Sequence, residues 1–76
     1  MHFEDYIEIN TKIMMGKPVI KGTRITVESI LEKLSAGETE ADLLIAHPHI
    51  TTIQIKAALY FAALSLKGEN IYPIAV

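Results

Sequence analysis

The side chains that could carry out chemistry are few, and their spacing favours binding over catalysis. Glu28 and Glu32 lie one helical turn apart, but nothing around them predicts the buried cleft that a pair of catalytic carboxylates needs. His47 and His49 flank Pro48, whereas a metal site needs three or four ligands, which the neighbouring residues do not supply. We therefore predict no catalytic residue, no metal site and no cofactor, and a protein that is not an enzyme on its own.

Gly16-Lys17 is reminiscent of a phosphate-binding loop, but the pattern then breaks. Such a loop continues with Ser or Thr and then a helix, so that several backbone N–H groups converge on phosphate. Here Pro18 supplies no N–H and β-branched residues follow. A nucleotide site is not predicted.

One stretch of the chain is basic, although the net charge is −2. Residues 11–24 contain four cations and no acid: Lys12, Lys17, Lys21 and Arg24. On a strand face they could contact a DNA backbone or an acidic protein, or simply keep an exposed strand edge from pairing. The sequence leaves these alternatives open.

A short turn at residues 47–50 separates two predicted helices, which is the spacing of a helix-turn-helix corner. Polar residues begin the second of these helices, and glutamine can pair with adenine while lysine contacts guanine or phosphate. The candidate DNA contacts are Arg24, Thr52, Gln54 and Lys56. The alternative is that the corner has the shape of this motif but does not bind DNA. The preceding helix is acidic, and the phosphates of DNA would repel it.

Each of the three predicted helices follows a threonine that can cap it. Thr26 precedes a helix at about 27–36, which Gly37 ends. Thr39 and Asp42 resemble a capping box for a helix at about 40–46, before Pro48. Thr51 and Gln54 form a full capping box for a helix that continues to Lys67, before Gly68.

The segment before the helices is predicted to form strands. Residues 6–10 and 19–27 are rich in β-branched and aromatic side chains, with Gly22 placed as a bulge would be. We expect one mostly α domain over residues 1–76, with a β-hairpin region at 1–25, a three-helix bundle at 26–68 and a tail at 69–76.

The third helix is apolar on every side from Ala57 to Leu64, and half of the 76 residues are hydrophobic. A helix apolar all round is buried all round, and so small a chain has too little mass to wrap it. A homodimer is therefore predicted.

The tail is unusually apolar for a chain end. Its apolar residues are Ile71, Tyr72, Ile74 and Val76, and Pro73 blocks a helical continuation. An extended segment of this kind can add to a sheet edge or fill a groove. The receiving surface is either the N-terminal strand of the same or a paired subunit, or a different protein.

Composition sets the expected compartment. The chain has no cysteine, no signal peptide pattern and no apolar run long enough to span a membrane. We expect a cytoplasmic protein that is not inserted in a membrane.

Residues 16–27, which read Gly-Lys-Pro-Val-Ile-Lys-Gly-Thr-Arg-Ile-Thr-Val, strongly resemble the signature of the domain-of-unknown-function 433 (DUF433) family. The similarity extends over roughly residues 6–66, through Ser35-Ala36-Gly37 and His47-Pro48-His49. The chain departs from the family pattern at Met15 (often a second glycine), Lys21 (often arginine), His47 (often tyrosine) and Gln54 (often an acid).

The resemblance implies a homeodomain-like three-helix domain with an N-terminal β element. It also implies a VapB-type antitoxin of a toxin–antitoxin pair, which binds a toxin of the PIN type and can bind promoter DNA. The alternative function is a dimeric protein-interaction module without DNA binding.

Overall fold

A computed structural model of the chain describes residues 1–68. A two-stranded hairpin precedes three helices, as the sequence predicts. Two single turns of 3-10 helix, Phe3–Asp5 and Met14–Gly16, were not predicted. The other elements are β1 (Ile7–Glu8), β2 (Val19–Ile20), α1 (Val27–Ser35), α2 (Glu40–Ala46) and α3 (Thr52–Leu66).

The hairpin is shorter than its composition suggests. β1 and β2 are antiparallel, with Ile7 opposite Ile20 and Glu8 opposite Val19. The prediction that the second strand continues past a bulge at Gly22 is wrong, because the chain turns there with φ +80°. The Thr23 backbone N–H and hydroxyl both donate to the Ile20 carbonyl, at 2.9 and 2.7 Å, and these bonds close the turn.

This turn brings the start of α1 back onto β2. The Ile20 N–H donates to the Ile25 carbonyl, and the Val27 N–H donates to the Pro18 carbonyl, both at 2.9 Å. Pro18 and the first turn of α1 therefore become neighbours.

All three predicted helix starts are confirmed. The Thr26 hydroxyl accepts from the Ser29 N–H at 3.0 Å. Thr51 and Gln54 form both bonds of a capping box, and so do Thr39 and Asp42. Aspartate, although shorter than glutamate, still reaches the Thr39 N–H at 2.8 Å.

The core lies where α3 meets α1, α2 and the hairpin. Its fully buried side chains include Ile20, Ile30, Leu43 and Ile55. Buried alanines at positions 57 and 58 allow neighbouring elements to approach α3 closely. Phe3 packs edge-on against Phe61, with the ring centroids 5.2 Å apart. The N-terminal turn therefore covers one side of α3.

Candidate functional site

The corner between α2 and α3 exposes two of the four predicted DNA contacts together. Thr52 and Lys56 are exposed one turn apart at the start of α3. Gln54 is half-buried, and its Oε1 accepts from the Thr51 N–H at 2.8 Å. The structure thus gives the Gln54 carbonyl oxygen a capping role, which the same sequence pattern also predicted.

Arg24 belongs to a different element. It is exposed in the turn between β2 and α1, where Ile13, Gly22 and Thr23 join it around an open depression of about 490 Å³. Within residues 1–68 it forms no hydrogen bond or ion pair with the three candidate residues of α3. The four residues therefore do not form one cluster of contacting side chains.

The basic stretch does not form a strand face, because none of its cations lies in β1 or β2. The Lys17 ammonium lies 3.1 Å from a carboxylate oxygen of Glu28 on α1. The Lys21 ammonium donates to the Glu4 carbonyl at 2.9 Å. Two of the four cations are thus engaged within the chain, which weakens the case for a continuous basic patch.

The first turn of α2 is acidic. Glu40 and Asp42 lie in that turn, and Glu38 precedes it. The Thr39 backbone N–H, and then its side chain, lower the pKa of the Asp42 carboxyl from its usual 3.8. Asp42 therefore carries its charge at neutral pH, and this part of the corner repels phosphate.

The outward face of α3 is apolar. Leu59, Tyr60 and Ala63 are exposed along it, and Leu66 at its end is 86% exposed. The opposite face, with buried Ala57 and Ala58 and half-buried Phe61, packs into the core, and Ile55 is buried at the N-terminal end of the helix. The sequence predicted that α3 is buried on every side, and among residues 1–68 its outward face is not covered.

A second apolar surface, which the sequence did not reveal, lies beside this face. It is a groove of about 270 Å³ between the start of α1 and the end of α3. Its lining consists of Pro18, Val27, Glu28, Leu31, Phe61, Ala62, Ser65 and Leu66. We refer to it as the α1–α3 groove. Its only charged lining residue, Glu28, pairs with Lys17, so the groove presents an apolar floor with an ion pair at one edge.

Two further findings concern the residues that the structure describes. No group of three or more His, Cys, Asp or Glu side chains in residues 1–68 is placed to hold a metal ion. Across the same part of the chain, every helix is too short or too polar to cross a bilayer. The predicted contacts of the tail, Ile71, Tyr72, Ile74 and Val76, lie outside the described residues.

Comparison with known proteins identifies the family. The model of the DUF433 family, described as a protein of unknown function, matches residues 7–62. The chain belongs to the DUF433 family. The match includes the turn from Gly16 to Val27 and most of α3, so it spans both sides of the α1–α3 groove.

A solved structure supports the same assignment. The chain is similar to a DUF433 member protein from Anabaena variabilis ATCC 29413, with a TM-score of 0.76 and 25% sequence identity. The similarity covers 90% of this chain and 65% of that one, so the chain spans about two thirds of that protein's length. No curated protein is detectably similar in sequence.

Proposed function

We propose that this DUF433 protein is a small antitoxin-like regulator that binds and neutralises a partner protein. The observation that carries the proposal is the α1–α3 groove, an apolar cleft on the surface of a domain with few interior positions. Leu31 and Leu66 on its two sides are 38% and 86% exposed, which leaves apolar area for a partner to cover.

The groove fits an apolar segment of another protein. Helices and extended segments bind such grooves through a few apolar anchors, while polar groups at the rim fix their orientation. The Lys17–Glu28 pair can supply that orientation here, since its two charges lie 3.1 Å apart at the edge. From the resemblance described above, the expected partner is a PIN-type toxin encoded beside this protein.

The test is co-expression of this chain with the product of the neighbouring gene. The neighbour alone should arrest growth, and co-expression should restore growth and yield a complex that purifies as one species. Leu31→Glu places a charge in the groove and should abolish both effects. Ile45→Glu, on α2 at a position 79% exposed, is the matched control and should abolish neither.

Two results would count against the proposal. One is a neighbour that neither arrests growth nor binds the unmutated chain. The other is a complex that survives Leu31→Glu as well as it survives Ile45→Glu, with both variants showing the native circular dichroism spectrum.

Promoter DNA is the second candidate ligand, in a homeodomain-like helix-turn-helix mode. The observation that favours it is the exposure of Thr52 and Lys56 on one face of the first turns of α3. The acidic start of α2 opposes it, so the interaction would depend on few phosphate contacts, and each of them would make the affinity fall as the salt concentration rises.

Gel retardation with the chain's own upstream region tests this mode. Lys56→Glu should abolish binding, whereas Lys67→Glu, exposed beyond the far end of the same helix, should retain it. If the unmutated protein shows no salt-sensitive retardation, the chain is a protein-interaction module without DNA binding.

A further inference from the structure

The outward face of α3 carries a repeat that the rest of residues 1–68 does not cover. Thr52, Lys56, Leu59, Ala63 and Leu66 follow one another at intervals of four, three, four and three residues, and all five are exposed. Their last three members form an apolar stripe at the C-terminal half of the helix, flanked by exposed Tyr60. We refer to Leu59, Ala63 and Leu66 as the α3 stripe.

This spacing indicates what covers the stripe. Positions that alternate by three and four residues keep one line of side chains facing a neighbouring helix, which is the seam of paired helices. An extended peptide repeats every two residues and would not match it. The occupant that fits the α3 stripe is therefore another helix.

We propose that the occupant is α3 of a second copy of this chain, packed antiparallel across a two-fold axis at Ala63. The stripe is complementary to itself in that arrangement. The small side chain of Ala63 lets the helices approach closely at the axis, and Leu59 of each copy lies opposite Leu66 of the other. The same patch thus forms the interface on both subunits, as two-fold symmetry requires.

Charge selects the antiparallel arrangement over the parallel one. In a parallel pair, Lys56 would face Lys56 of the second copy inside the seam, where like charges repel strongly. In the antiparallel pair centred on Ala63, Lys56 falls beyond the end of the other copy's α3, so it does not face Lys56 of that copy. The exposed first turn with Thr52 also remains outside the contact.

The dimer surface is distinct from most of the α1–α3 groove. Pro18, Val27 and Leu31 of the groove lie off the outward face of α3, and only Leu66 belongs to both surfaces. A dimer formed through the α3 stripe therefore leaves most of the groove open to a different protein. The dimer is tested on the purified chain alone. Failure of the dimer proposal can therefore be distinguished from failure of the proposal that the groove binds a partner protein.

Sedimentation equilibrium provides the first test. The unmutated protein should reach about twice the 8.4 kDa chain mass at micromolar concentration. Ala63→Glu places two carboxylates at the axis and should weaken the dimer by about tenfold or more. Ala41→Glu, the same change at an exposed position of α2, should leave it unaltered. A monomer at every concentration, or a dimer indifferent to Ala63→Glu, would overturn the proposal.

Disulfide trapping tests the arrangement itself and perturbs the fold little. The chain has no cysteine, so each introduced thiol reports only on its own position. Under oxidation Ala63→Cys should form a covalent dimer, because residues on the axis meet their own copies. Lys56→Cys should stay uncrosslinked. If Ala63→Cys fails to crosslink, or Lys56→Cys crosslinks as efficiently, the antiparallel pairing is wrong.

Discussion

Replacement of Met15 by glycine should stabilise this protein. Met14, Met15 and Gly16 all have positive φ, at +48°, +57° and +84°, in the turn that precedes the family signature. Only Gly16 suits that conformation. An L-residue in the left-handed region costs about 1–2 kcal/mol, because its Cβ crowds the following carbonyl oxygen. Met15 is 89% exposed, so packing of its side chain offsets little of that cost.

The net gain is smaller than the strain removed. Glycine loses more backbone freedom on folding than other residues. This entropy loss offsets roughly 0.5–1 kcal/mol of the stabilisation gained by removing the strain. We therefore expect Met15→Gly to raise the free energy of unfolding by about 0.5–1 kcal/mol. For a domain of this size, that corresponds to a rise of roughly 2–8 °C in Tm. The DUF433 resemblance is consistent with this direction, since a second glycine is common at this position.

Thermal and urea unfolding at one fixed protein concentration measure the effect, because self-association would otherwise shift the midpoint. Met15→Ala is the matched control. It removes the same side chain but keeps the left-handed cost, so it should stay within about 0.5 kcal/mol of the unmutated protein. The reasoning is refuted if Met15→Gly is no more stable than the native chain, or if Met15→Ala stabilises equally.

Two further predictions concern the helix caps. Thr51→Ala removes the hydroxyl that accepts from the Gln54 N–H and should cost about 1 kcal/mol in urea unfolding, whereas Thr52→Ala, one residue on, should cost less. An equal loss in both would mean that the cap contributes little. Asp42 has a lowered pKa, so its charged form stabilises the folded state at neutral pH, and that contribution is lost as pH falls below about 4. Asp42→Asn keeps an oxygen acceptor without a charge, so its stability deficit at neutral pH should shrink at about pH 3; a pH-independent deficit would contradict the assignment.

The sequence by itself determined the helices and their ends. Thr26, Thr39 and Thr51 act on backbone groups within three residues, so their caps could be predicted without knowledge of the fold. The same holds for the signature at residues 16–27, whose residue types identify the family before any contact is known.

The hairpin shows where local patterns fail. Four of the five residues 23–27 are β-branched, which predicts a strand, yet the chain reverses at Gly22 and Thr26 pairs with Val19 as an isolated bridge. The hydrogen bonds from Thr23 to the Ile20 carbonyl favour the turn over a continued strand, because side-chain hydrogen bonds to nearby backbone compete with strand pairing.

The two surfaces proposed to bind partners were decided by tertiary structure alone. Pro18, Leu31 and Phe61 are far apart in sequence, and they line one groove because the turn at Gly22 returns α1 to β2 and α1 packs on α3. An α3 that is apolar on every side carries no periodic signal of which face is buried. Packing against α1 and the hairpin buried one face and left Leu59, Ala63 and Leu66 outward, because one small domain has too few elements to surround a helix.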